Sequence, residues 1–277
     1  MVIRPRQLLV LGAMISITAI VLFPIYWMVV TAVLPTTDVL SRNPPLTPPF
    51  SDISLAAFLN VWKRQPLLEW MLNSSIVAVG STVLSMIVAT TGGYSLSRYR
   101  THGQQVAGAL LLISKILPPS LIIIPIFIMF SLLHLIDSYV GLILANAAGG
   151  IPFATWLMKG FFDGIPVELE FAAMIDGCSE LQALWYIILP LAKAGLAACA
   201  IYLIILGWSE FVFARTLMTS GNHTLLTVGL QEFVGEYTVN WSDLMAAGTV
   251  SLLPMIALFV ILEPFLVSGL TQGAVTN

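Results

Sequence analysis

Hydrophobic residues in this chain fall in long unbroken runs, not in alternation and not in one helical stripe. No charged residue lies between Arg6 and Asp38, and Leu8 to Leu34 is almost wholly apolar. A helix needs about 20 such residues to cross a hydrocarbon core of roughly 30 Å. The pattern therefore predicts a membrane span over about 8–34, and similar runs predict spans over about 70–97, 107–135, 138–160, 194–214 and 244–262. The expected fold is all-α: one polytopic transmembrane domain over residues 1–277 with six spans. Arg4 and Arg6 look like the start of a signal peptide, but a signal's apolar core is only about 7–15 residues. The longer run reads as a retained helix. Pro24, Pro118, Pro119, Pro125 and Pro254 lie inside the spans, where neighbouring helices can satisfy the freed backbone groups. They are expected to shape packing as kinks.

Composition agrees with this pattern. Charged residues make up 9% of 277, and hydrophobic residues 58%; a soluble domain carries about 25% charge. Eleven basic and 14 acidic side chains are too few to cover a water-soluble body of this length. A net charge of −3 supplies no footprint for nucleic acid, and two cysteines cannot staple the fold. Membrane lipid is the expected solvent. Basic residues flanking the spans set the orientation. With the N-terminus inside, Arg4, Arg6, Arg98, Arg100, Lys159 and Lys193 face the cytoplasm, against Arg42, Lys63, Arg64 and Arg215 outside. Both termini are then cytoplasmic. The proline-rich outer segment after Pro35 is expected to be extended at first, with a short interfacial helix over 54–62.

The segment of about 163–193 is too polar to span and too patterned to be a plain linker. Pro166 suits a first helical turn, and Glu168 and Glu170 sit where the N-terminal dipole favours anions. Gly177 ends that helix as a left-handed cap. Ser179 and Gln182 then form a capping box, opening a second helix whose Leu181, Leu184, Trp185 and Ile188 make one apolar stripe. Pro190 is expected to stop it. Two short helices with so much apolar surface either pack under their own bundle or plug into a partner protein.

Glu170-Phe171-Ala172-Ala173-Met174-Ile175-Asp176-Gly177, followed by Ile188-Leu189-Pro190, resembles the Glu-Ala-Ala loop of ATP-binding-cassette importer permeases. Gly93 to Arg100, Gly141 to Leu144, Pro152 to Leu157, Gly160 to Phe162, Trp208 to Phe211 and the tail Gly269 to Val275 extend the likeness over most of the chain. It is similar to the smaller permease subunit of the maltose-importer type. Phe171 stands where that family often has a charged residue, Cys178 where alanine is common, and Ala194 where proline is usual. The resemblance implies a bacterial inner-membrane subunit importing a sugar or oligosaccharide. Its implied partners are a second homologous permease, two copies of an ATP-binding subunit that hold the ATP and magnesium, and an extracytoplasmic solute-binding protein. The loop helix would dock in a groove on the ATP-binding subunit, with Glu170 and Asp176 making polar contacts around it. Ala172 and Ala173 would allow close approach, Phe171 would lie among them, and Gly177 would permit the turn.

No catalytic constellation is evident. A phosphate-loop motif is absent, and His102, His134 and His223 lack metal-ligand spacing. Cys178 and Cys199 read as packing residues. The chain is expected to be non-catalytic, with no cofactor of its own. Ions within spans are costly, so Lys115 and Glu210 are candidates for a pathway, a gate or an ion pair. Asn73, Ser74, Thr90, Thr91, Tyr94 and Asn146 could face a pathway or bond between helices. A self-contained secondary transporter is the alternative, although that class favours internal repeats and ions in broken helices.

Overall fold

Long apolar runs form helices here because the backbone has no water to bond and must satisfy itself. The computed structural model describes residues 5–43, 45–99, 101–235 and 237–274. Arg4, Pro44, Arg100 and Val275 lie outside them. Besides four-residue helical turns, one of them at Thr36–Val39 in the outer segment expected to be extended, the helices are α1 (Pro5–Val33), α2 (Ala56–Arg64), α3 (Leu67–Arg98), α4 (His102–Ser114), α5 (Pro119–Leu132), α6 (Tyr139–Asp163) and α7 (Glu168–Ile175). They continue as α8 (Glu180–Leu191), α9 (Lys193–Trp208), α10 (Val212–Leu217) and α11 (Trp241–Ala274). The bridge between Val234 and Val239 is isolated, outside any strand, so the fold is all-α.

Four stretches are long and apolar enough to cross a membrane unbroken: Gln7–Val33, Leu67–Arg98, Tyr139–Asp163 and Trp241–Phe265. Of the other two expected spans, one is bent and one begins at a bend. The run of about 107–135 is α4 and α5 meeting at 101°. The cause is Pro118-Pro119: a residue before proline avoids the helical region, and Pro118 is extended at ψ 140°. The fifth span begins at a 78° bend between α8 and α9 and ends at Trp208, short of 214; α10 follows as a separate short helix. The total reaches six only where each bent pair counts as one span. Pro190 does not stop the second loop helix, which runs to Leu191. A π-helical turn over Leu184–Ile188 precedes the proline, and the wider turn relieves the clash its ring would make with the carbonyl four residues back.

The chain divides into two compact units. One joins the chain up to Leu68 with Gly229–Leu253, the other Glu69–Val228 with the chain from Pro254 onward. In the first, α1 presents apolar side chains all round, and none of its spanning window is buried within the chain. The Ser242 hydroxyl donates to the Leu34 carbonyl at 3.0 Å, and Tyr26 to that of Leu46 at 2.8 Å. In the second unit, small residues let helices approach closely, as is usual where lipid supplies no hydrophobic drive between helices. A Cβ on Gly93 would lie 2.9 Å from the Lys159 nitrogen, and one on Gly207 2.9 Å from the Ala78 Cα. Two buried clusters sit at opposite ends of α6: Leu142 and Ala145 with Val77, Phe130 and Phe213, and Ala154, Met158 and Phe162 with Tyr94, Leu184 and Ile188.

Candidate functional site

The loop after α6 folds from local signals. Gly177 has φ +95°, the left-handed region that glycine enters without a Cβ penalty. Its N–H donates to the Met174 carbonyl at 3.1 Å, and that of Cys178 to Ala173 at 3.0 Å. These two bonds form a Schellman motif, which satisfies carbonyls at the end of α7. The capping box then opens α8: the Gln182 N–H donates to the Ser179 hydroxyl at 3.3 Å, and the Ser179 N–H to the Gln182 side chain at 2.8 Å.

Burial sorts the residues expected here. Glu170 and Ala173 face inward, at 3% and 7% exposure; Phe171 and Ile175 face outward, at 58% and 86%. Ala172, Asp176 and Gly177 are exposed. The stripe expected on α8 is split: Leu184 and Ile188 are buried while Leu181 and Trp185 are exposed.

The inward carboxylate meets the end of α3. Arg98 Nε forms an ion pair with Glu170, both side chains almost wholly buried. The Tyr94 hydroxyl donates to the other Glu170 oxygen at 2.9 Å. The same guanidinium donates to the carbonyls of Phe162, at 3.0 Å, and Ile165, at 3.2 Å. Beside it, the Ser97 hydroxyl donates to Asp163 at 2.7 Å, and Lys159 pairs with Asp163's other oxygen at 2.5 Å. The Tyr99 hydroxyl donates to Glu180 at 2.6 Å, and that bond raises the phenol above its ordinary pKa. The resemblance expects Glu170 among contacts to a partner; here its carboxylate is enclosed by its own chain. From the sequence Arg98 is an orientation marker and part of the Gly93 to Arg100 likeness, with no partner implied for it. The signal that could have found it is a basic residue closing a span opposite a loop that carries Asp163, Glu168, Glu170, Asp176 and Glu180.

The four pathway candidates have different hydrogen-bond partners. Tyr94 belongs to the loop cluster just described. Asn73 lies toward the other end of α3, where its amide donates to the Thr224 carbonyl at 2.9 Å and its oxygen accepts from Tyr139 at 2.6 Å. Glu210 caps α10, accepting from the N–H groups of Phe213 and Ala214 at 2.8 Å each. Asn146 is buried, and its amide nitrogen has no protein partner. Lys115 donates to the Gly149 carbonyl at 2.5 Å. Cys199 is buried and Cys178 partly so, both as free thiols. Among the described residues, no cluster of His, Cys, Asp or Glu could hold a metal ion.

The profile of the family described as binding-protein-dependent transport system inner membrane component matches residues 81–272. The diacetylchitobiose uptake system permease protein of Streptomyces coelicolor is 32% identical, covering 94% of this chain and 95% of its own. The maltodextrin transport system permease protein of Bacillus subtilis is 34% identical over 79% of this chain and 80% of its own. Among solved structures, a chain of a bacterial importer of the acidic polysaccharide alginate superposes with a TM-score of 0.76 at 24% identity, covering 92% of this chain and 95% of that one. That likeness shows the fold.

Proposed function

This chain belongs to the family of binding-protein-dependent transport system inner membrane components, and from that premise we propose that it is a sugar- or oligosaccharide-importing permease driven through its α7–α8 loop. Permeases of this family are non-catalytic membrane subunits, and ATP hydrolysis resides in a separate subunit. Membership displaces the self-contained secondary transporter. The sugar class is supported by relatives named for diacetylchitobiose and maltodextrin uptake. In this reading the chain forms half of the translocation path beside a second homologous permease. Two ATP-binding subunits, which hold the nucleotide and magnesium, sit on the cytoplasmic side with both termini, and a solute-binding protein delivers substrate outside.

The observation that carries the reading is the two-sidedness of α7. Glu170 and Ala173 anchor one face, while Phe171 at 58% and Ile175 at 86% exposure offer the other to a partner groove. An exposed apolar face on a short helix is costly in water and suits helix-in-groove docking. ATP-driven closure of the partner subunits would push this helix and switch the permease between inward- and outward-facing states.

The test is Gly177→Val in the complex reconstituted with its ATPase and binding protein, screened over a panel of sugars. A Cβ at Gly177 would meet open space, so the substitution acts through φ alone, at roughly 1–2 kcal/mol or more for a β-branched residue. The variant is expected to insert in the membrane yet show no substrate-stimulated ATP hydrolysis. Gly177→Asn, which tolerates the left-handed region, should keep much of it. Normal transport by the valine variant would overturn the proposal.

A further inference from the structure

Ser97 and Arg98 close α3 and Tyr99 follows it, and the three reach different points of the chain from the end of α6 onward. Ser97 holds Asp163 at the end of α6, Arg98 holds Glu170 on α7, and Tyr99 holds Glu180 at the start of α8. Successive residues on a helix point about 100° apart. The end of α3 is thus gripped from three sides by the loop and its approach. Arg98 adds two backbone carbonyls, Phe162 in the last turn of α6 and Ile165 in the segment connecting α6 to α7. Its fork therefore ties three segments of chain to one side chain, a task suited to the planar guanidinium and not to lysine.

Stability does not explain this arrangement. Two charges exposed by only 7% and 4% bear a desolvation cost that their attraction offsets poorly, and a well-packed apolar pair is often as stable or more so. Leu184, Ile188, Met158 and Phe162 form the adjacent core, so apolar packing is at hand. What the pair supplies, and apolar packing does not, is a directional link between the buried face of α7 and the end of α3. The outer face of the same helix carries Phe171 and Ile175. A push on that face arrives at Glu170.

We propose that Arg98 is a positioning residue that transmits displacement of α7 to the α3 span, so that the loop and the ends of α3 and α6 move as one body. This rests on the loop reading above. It differs from a lever swinging about Gly177: the joint lies at Arg98–Glu170, and Gly177 only sets the turn.

The experiment uses the full complex in proteoliposomes and measures two quantities, retention of the ATPase on purification and sugar transported per ATP hydrolysed. Arg98→Ala should keep the ATPase bound while transport per ATP falls at least about tenfold, as expected when a buried charge loses its partner. Glu170→Ala should do the same, and the double variant should be no worse than either single, because residues acting as one unit are non-additive. Should Arg98→Ala fail to reach the membrane, Arg98→Met/Glu170→Leu restores packing without the link and should show the same loss of coupling. A wild-type ratio in that apolar pair would overturn the proposal. So would loss of the ATPase from it, which would make Arg98 a support for the docking face and not a joint. Phe171→Asp tests the loop reading separately: it should release the ATPase, and retention would overturn docking through α7 alone.

Discussion

The two ends of the α3–α6 pair are held by different chemistry. At the loop end the ties run mostly between side chains, with Arg98 also reaching the Phe162 and Ile165 carbonyls: Arg98 with Glu170, Tyr94 with Glu170, Ser97 and Lys159 with Asp163, Tyr99 with Glu180. At the other end polar side chains mostly reach backbone. Asn73 bonds the Thr224 carbonyl, Ser74 accepts from the Leu226 N–H, and Asp137 accepts from the N–H groups of Thr219 and Ser220. Glu210 caps α10 in the same way. Bonds to backbone fix the path of irregular chain, where orphaned N–H and C=O groups would otherwise be costly. Bonds between side chains join whole helices and can be remade without unfolding either. One end is built as a fixed corner, the other as a set of joints.

The sharpest way to break that contrast is to add a methyl group at each end. A Cβ on Gly141 would press on the backbone carbonyl of Leu135, in a turn already pinned by the Ser138 hydroxyl at 2.7 Å. One on Gly93 would meet Met158 and the Lys159 nitrogen at 2.9 Å. Overpacking costs about 1–3 kcal/mol. Gly141→Ala should lie at the upper end and Gly93→Ala below it, read as the drop in melting temperature of the purified complex. Equal losses would mean the two ends are equally rigid.

A smaller effect separates cap from gate at Glu210. Glu210→Ala removes two bonds to the start of α10, and a lost helix cap costs roughly 0.5–2 kcal/mol. The expected result is a lower melting temperature with transport per ATP unchanged. Unchanged stability with lost transport would assign Glu210 to the pathway.

The smallest effect is at Asp137 and depends on pH. Burial pushes its pKa up, but bonds from Ser220 and Thr219 outweigh it and the net shift is downward. A depressed folded pKa means the carboxylate's stabilisation is complete above the ordinary aspartate range and fades as pH falls through the folded value. The stability gap between the protein and Asp137→Asn should therefore be full at about pH 7 and close below about pH 4. A gap that persists in acid would show that the hydrogen bonds act without the charge.

Much of the loop was legible residue by residue. The Ser179–Gln182 box, the left-handed Gly177 and the helix opening beside Glu168 involve neighbours only a few positions apart, where sequence spacing is spatial spacing. The proline effects were legible only in part. Pro118-Pro119 bends its span by 101°, although apolarity alone reads that stretch as continuous, while Pro190 is absorbed by a π-helical turn that no short pattern announces. Arg98 was visible as a charge and not as a partner, since Glu170 is remote in sequence and spacing says nothing about which helix ends meet.

The sequence by itself determined that lipid is the solvent, that the elements are helices, and that one loop concentrates the acids. Each of these follows from local apolarity, local caps and counted charge. Only the tertiary structure decided that Glu170 faces inward to Arg98 and Tyr94 while Phe171 and Ile175 face out, that Asn73 and Glu210 hold backbone, and that one expected span is bent and another begins at a bend. The reason is physical: burying a charge is tolerable only beside its partner, and that partner is chosen by how helices pack, which periodicity cannot encode.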